Sequence, residues 1–285
     1  NFTEETRGTM YRKIDFRVRP PFGNYMKMFE NDQAHFARLA DAFDMTVSQS
    51  QKTGSLEEFV KEMDQAEIEI SVVPCRKELG VTGDDFFDLT KRYPGRFVIF
   101  PYIDPTDGED ALREIDRYRD QWDIRGVSAE PTYQPKPYKF DDPVAYPMYE
   151  KLQREGLALF VSYSAKLLPI VDPDTVRQLG TVLHDFPELN IVVGHGGWPW
   201  HLEVMAMGFN SPNIYIVPDM YGLTGAGSQD YVKSANTLMK HQMLFGTAYP
   251  ILNVVDTARF YETCGIKESV LPDFFYNNAA RLLKL

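Results

Sequence analysis

The chain has 285 residues, 44% of them hydrophobic and 25% charged, with a formal net charge of −11. That length suits one large core or two small domains, and the acidic balance argues against nucleic acid or an anionic membrane surface as the main partner. Two cysteines, Cys75 and Cys264, are too few for a disulfide framework, no run reaches about 18 apolar residues and no signal-like apolar region opens the chain, so a cytoplasmic protein with buried free thiols is expected.

Residues 1–9 are polar and are set apart as a flexible arm or an extension foreign to the fold. From residue 10 onward, short β-rich runs alternate with longer amphipathic segments. Strands are predicted at 13–18, 68–74, 97–103, 126–130, 158–164, 190–195, 213–218 and 243–246. Several are near-continuous apolar runs, such as Phe97-Val98-Ile99-Phe100 and Ile191-Val192-Val193, as parallel strands covered on both faces require.

Helical spacing marks 56–66, where Leu56, Phe59, Val60 and Met63 recur at three and four residues and Ser55 stands as N-cap. Segments 109–122, 144–155, 173–186 and 230–240 read the same way, with Pro143 and Pro173 at first-turn positions, where a missing N–H costs nothing. A final amphipathic helix is predicted over 271–285, with Phe274, Phe275, Ala279, Leu282 and Leu283 apolar. Strand and helix alternate through the whole chain without a linker or composition break. The expectation is therefore an α/β fold, a single (β/α)8 TIM barrel over 10–285, with an open doubly wound sheet as the alternative.

In such a barrel the active site lies at the C-terminal ends of the strands. The first strand delivers Asp15, Arg17 and Arg19 at alternate positions, and the second ends in Cys75-Arg76. The third ends in Tyr102 and Asp104, the fourth in Glu130, and the fifth in Ser162, Tyr163 and Ser164, with Lys166 beyond. His195-Gly196-Gly197 closes the sixth, Asp219 the seventh, and Thr247-Ala248-Tyr249 the eighth.

Several segments together carry a family likeness. Ile191-Val192-Val193-Gly194-His195-Gly196-Gly197 resembles the sixth-strand signature of the amidohydrolase-related (amidohydrolase-2) family of metal-dependent hydrolases and decarboxylases. Phe245-Gly246-Thr247-Ala248-Tyr249-Pro250 is similar to its eighth-strand motif, and Asn277-Asn278-Ala279-Ala280-Arg281-Leu282-Leu283 to its C-terminal helix. Ile14-Asp15 and the residues after it resemble the opening strand. The likeness spans about 12–285 and implies the barrel fold and, by family habit, a homodimer.

The departures carry more information than the matches. The family's first strand bears His-x-His, two metal ligands, where this chain has Arg17 and Arg19, and guanidinium offers no lone pair. The fifth-strand ligand histidine is replaced within Phe160-Val161-Ser162-Tyr163-Ser164, and the eighth-strand aspartate falls on Ala248. Only His195 survives of the usual set. No metal or other cofactor is expected, because two fixed positive charges stand where the cation would sit.

The sequence leaves the roles open between chemistry and plain structure. Arg17 or Arg19 serves either as an anion clamp or as the partner of Asp15, Glu130 or Asp219. His195 acts as general base or acid, with Asp219 or Glu130 orienting it or moving a second proton, unless it is a satisfied core residue. Arg76, Ser162, Tyr163, Trp198 and Tyr249 complete the candidate substrate site. His35, His184, His201 and His241 read as packing or surface residues, and no Gly-x-Ser-x-Gly elbow supports a serine nucleophile.

Tyr102, Tyr133, Tyr138, Trp200 and Tyr221 add aromatic material that suits a cyclic or planar substrate or serves packing alone. The favoured expectation is a metal-independent hydrolase of a small anionic, carboxylate-bearing metabolite. A decarboxylase or hydratase fits the same residues, a non-catalytic anion-binding barrel is the reading from another class, and a metal enzyme recruiting Asp15, Glu130, His195 and Asp219 is the third.

Overall fold

A computed structural model describes residues 11–132, 136–162, 174–223 and 225–285. Among the described residues seven parallel strands are formed: β1 (Lys13–Asp15), β2 (Ile68–Pro74), β3 (Phe97–Phe100), β4 (Gly126–Ala129), β5 (Ala158–Ser162), β6 (Ile191–Gly194) and β7 (Ile214–Ile216). They lie in two runs, β1-β2-β3 and β4-β5-β6-β7. Backbone hydrogen bonds join the runs: Ser128 donates to Pro101 O at 2.8 Å and Ile103 to Ser128 O at 3.0 Å. On the far side the eighth predicted strand is reduced to a bridging segment. Leu244 donates to Ile216 O at 2.8 Å, and Phe245 O accepts from Phe16 at 2.9 Å. These bonds carry the ring around, and the chain is a TIM barrel in one domain.

Inside the ring, Phe16 meets Phe100 edge-on at 5.8 Å across non-adjacent strands. Ile14, Val72, Phe160, Val192 and Leu244 belong to the same inner cluster, and Ala279, Leu282 and Leu283 of the terminal helix plug it. A larger apolar layer lies between the strands and the outer helices, with Cys75 buried in it and Cys264 packed against it.

The predicted helices form, with shifted ends. Glu109–Trp122 is helical throughout, and Leu56–Gln65 starts at Ser55, whose hydroxyl accepts from Glu58 N. Pro143–Ala145 makes a 3-10 turn before the helix Tyr146–Glu155, Asp174–Asp185 lies within the third segment, and Ser228–Ala235 ends earlier than predicted. The C-terminal segment is a π turn, Asp273–Asn277, leading into Asn278–Leu283. Residues 1–9, Pro173 and Lys166 lie outside the described residues.

The first strand departs most from its predicted form. Ile14 and Phe16 face the inner cluster whereas Val18 packs in the outer layer, so the alternation shifts between Phe16 and Val18. In consequence Asp15 does not share a face with Arg17 and Arg19. Its buried carboxylate instead fastens β1 to the eighth segment, accepting from Arg17 N at 3.1 Å, Thr247 N at 3.0 Å and Thr247 Oγ1 at 2.5 Å. Burial raises the Asp15 pKa to about 7, against the pull of these three donors.

An amide at this position presents N–H₂ to one of those donors. Asp15→Asn is therefore expected to cost about 2 kcal/mol, as an unsatisfied buried group does, read as a lower urea midpoint at unchanged slope. An unaltered midpoint would show that the carboxylate does not hold the ring at this seam.

Candidate active site

Four strand ends converge on one cluster. Arg17 and Arg19 follow β1, Arg76 follows β2, Glu130 follows β4 and Ser162 ends β5, and these line a small cavity with Val18, Pro74 and Phe160. Beside it stand His195 after β6 and Asp219 after β7, both almost fully buried.

The backbone is strained where it turns off the sheet. His195 has φ 61°, Asp219 φ 43° and Ala248 φ 59°, left-handed values in three non-glycine residues at three successive strand ends. Such conformations cost free energy and cluster at functional sites. Gly196 follows at φ 62°, and a Cβ there would lie 2.5 Å from the Tyr231 hydroxyl. The glycine thus serves a tight approach by Tyr231, whose OH donates to Gly196 O at 3.1 Å.

Asp219 fixes His195 twice. One carboxylate oxygen accepts from His195 N at 3.1 Å, and the other lies 3.2 Å from Nδ1 and accepts from Met220 N at 2.6 Å. The Tyr261 hydroxyl, from the helix Val254–Thr263, donates to Asp219 O at 2.6 Å. On the other edge of the imidazole, Arg17 Nη2 lies 2.7 Å from His195 Nε2, and Arg17 Nη1 lies 3.7 Å from Asp219 Oδ2. A guanidinium only donates, so Nε2 is the acceptor and the proton of neutral His195 sits on Nδ1, facing Asp219.

Charge follows the same geometry. Burial, then the positive charge of Arg17, lowers the His195 pKa to about 4, with Asp219 opposing. Burial works against the Asp219 charge, but His195 and Arg17 hold its carboxyl below the ordinary range. The second half of the cluster is looser. Arg76 Nε lies 3.6 Å from Glu130 Oε1, which accepts from Ser162 Oγ at 2.7 Å.

The structure thus brings together Arg17, Arg19, Arg76, Glu130, Ser162, His195 and Asp219. Trp198 lies at the edge, stacked on Tyr221 at 5.0 Å, and Tyr221 meets the His195 ring edge-on at 5.5 Å. Tyr249 is elsewhere: it is buried in the outer layer, stacked on Phe59 at 4.3 Å, and shares a 2.7 Å hydrogen bond with Ser50. His201 pairs with Asp230 at 3.2 Å and with Pro199 O at 3.1 Å, a packing arrangement. Tyr163, Ser164 and Tyr133 lie outside the described residues. Tyr261 and Tyr231, which buttress the site from outer helices, carry no local sequence signal.

This donor set does not suit a divalent cation. The Nε2 lone pair of His195 is taken by Arg17, and Arg19 and Arg76 add positive charge with no lone pair. Among the described residues, no three His, Cys, Asp or Glu side chains are grouped to hold a metal ion. What the cluster offers is a neutral, oriented imidazole next to an anion-attracting cavity.

The amidohydrolase family model matches residues 33–285. No curated protein matches the chain. Among solved structures, an uncharacterised TIM-barrel protein from Bordetella bronchiseptica is 29% identical, with a TM-score of 0.87 over 96% of this chain and 98% of that one. A 5-carboxyvanillate decarboxylase from Sphingomonas paucimobilis is 19% identical, with a TM-score of 0.66 over 97% and 100%. A dihydroxybenzoic acid decarboxylase from Polaromonas, solved with manganese and the inhibitor 2-nitroresorcinol, is 17% identical, with a TM-score of 0.70 over 97% and 98%. The last two likenesses concern the fold alone. With the family model matched across most of its length, this chain belongs to the amidohydrolase family.

Proposed function

We propose that the chain is an enzyme that hydrolyses a small carboxylate-bearing ester, lactone or amide, of cyclic or aromatic shape, without a bound metal. The observation that supports this reading most is the Arg17–His195–Asp219 chain of contacts, because it supplies a base and its orienting carboxylate beside a cavity lined by arginines. Asp219 holds the Nδ1–H tautomer, so Nε2 is the basic atom. A substrate carboxylate drawn by the arginines sets a negative charge beside Arg17 and weakens its hold on Nε2. Nε2 is then released, its basicity rises, and it takes a proton from the attacking water. The arginine charges stabilise the oxyanion that forms on the substrate carbonyl. The imidazolium so formed returns that proton to the leaving group, with Ser162 and Glu130 across the cavity.

Decarboxylation is the second reading, favoured by the two decarboxylases that share the fold. In it the arginines hold the departing carboxylate, and the imidazole, once protonated from solvent at Nε2, delivers that proton to the carbon it leaves as carbon dioxide departs. The two reactions separate by product. Carboxylate-bearing lactones, esters and amides, and aromatic carboxylates, are incubated with the enzyme in the presence of a chelator. Acid release without carbon dioxide supports hydrolysis, carbon dioxide supports the second reading, and the absence of both across the panel counts against an enzyme of either kind.

His195→Asn is expected to lower turnover by about 100-fold or more while ligand affinity stays roughly intact; loss of affinity with unchanged turnover would contradict the base assignment. The pH profile has a definite sign. The neutral imidazole is the working form, so kcat/KM should hold above and fall as pH drops through about 4, the His195 pKa in the free protein. In the substrate complex the acid limb of kcat should lie at higher pH, because the bound carboxylate offsets Arg17. Coincident limbs would show that the bound carboxylate does not offset the charge of Arg17.

A further inference from the structure

The two arginines of the first strand sit two residues apart yet meet different surroundings. Arg17 is buried and already engaged, with one nitrogen on His195 Nε2 at 2.7 Å and the other 3.7 Å from Asp219. Arg19 is half-buried at the cavity wall. Among the described residues its guanidinium makes no hydrogen bond or ion pair. Asp219 lies against Arg17 and Glu130 against Arg76, whereas among the described residues no carboxylate makes an ion pair with Arg19, on which Glu130 acts only from farther off.

We infer that the two arginines divide the work: Arg19 receives the single carboxylate of a monoanionic substrate, and Arg17 is a positioning residue that holds and tunes His195. This deepens, and rests on, the reading of the site as one that takes a carboxylate. Holding three guanidinium groups around one cavity is costly. Burial and the neighbouring charges of Arg76 and Arg17 already pull the Arg19 pKa down to about 9. An anion on Arg19 relieves that repulsion and forms charge-assisted hydrogen bonds that no group among the described residues supplies.

A second carboxylate on the ligand would have to displace Glu130 or Asp219 from its arginine, so one charge is the match. Hydrolysis of a monoanionic ester or lactone yields a second carboxylate, which oversupplies the site with negative charge and favours product release.

The groups that face His195 are Arg17 and Arg19 from the first strand, Asp219 from the seventh, and the Tyr221 ring. Of the two arginines, Arg17 depresses its pKa more than Arg19 does. The test therefore crosses two variants with two readouts on the full chain. Affinity for acetate and benzoate is measured by calorimetry, and the His195 pKa by an NMR pH titration.

Arg19→Gln is expected to weaken both probes by about tenfold or more and to move the His195 pKa little. Arg17→Gln is expected to raise the His195 pKa toward its ordinary value while the probes bind within a few-fold of the parent. Arg19→Lys keeps the charge without the fork and should recover part of the affinity, which guards against an Arg19→Gln protein that folds poorly.

The assignment is overturned if Arg17→Gln loses probe affinity as far as Arg19→Gln does. It is also overturned if Arg19→Gln shifts the His195 pKa as much as Arg17→Gln, or if the parent protein takes up neither acetate nor benzoate. None of these readouts depends on turnover, so a wrong reaction class would leave the crossed pattern standing.

Discussion

A buried guanidinium on the unprotonated nitrogen of a buried imidazole is the contact on which the rest of this site depends. Arg17 donates to His195 Nε2, Asp219 accepts from Nδ1, and the three groups have almost no exposure to solvent. Burial, and after it the positive charge of Arg17, disfavours protonation of the ring and holds the His195 pKa down at about 4. The same charge makes the position hostile to a divalent cation. In the function proposed above, the contact sets up proton transfer by an oriented imidazole beside a cavity lined by arginines.

The barrel supplies what that contact needs. Two of its three members stand where strands end in left-handed turns, at His195 and Asp219, so their side chains are set by backbone geometry as well as by hydrogen bonds. Asp15 and Thr247 fasten the seam between the first strand and the eighth segment, the same backbone stretch that delivers Arg17. Tyr261 and Tyr231 brace the turns at Asp219 and Gly196 from the outer helices. The strain at the strand ends is thus carried by packing elsewhere in the fold.

Much of this arrangement is legible in the sequence, for reasons that differ by residue. The strand Ile68–Pro74 and the helix Glu109–Trp122 lie where apolar runs and helical spacing place them, because burial on two faces or one leaves a periodic trace. The convergence of His195, Asp219, Glu130 and the arginines follows from their positions at strand ends once a barrel is expected. Contacts such as Arg17 to His195, 178 residues apart, leave no local trace. Neither does the change of layer between Phe16 and Val18, with the Asp15 carboxylate bonded to Thr247. Tyr249 illustrates the limit of position alone. It follows an active-site strand, yet the turn at Ala248 directs it into the outer layer against Phe59 and Ser50.

The central claim is that guanidinium charge does here what a metal ion does in a related site. It is tested most directly by elemental analysis of protein purified without chelator, set against protein concentration. The account predicts metal far below one ion per chain, with no change in activity when a chelator is added. Zinc, manganese or iron near one ion per chain, with activity lost on its removal, would contradict it.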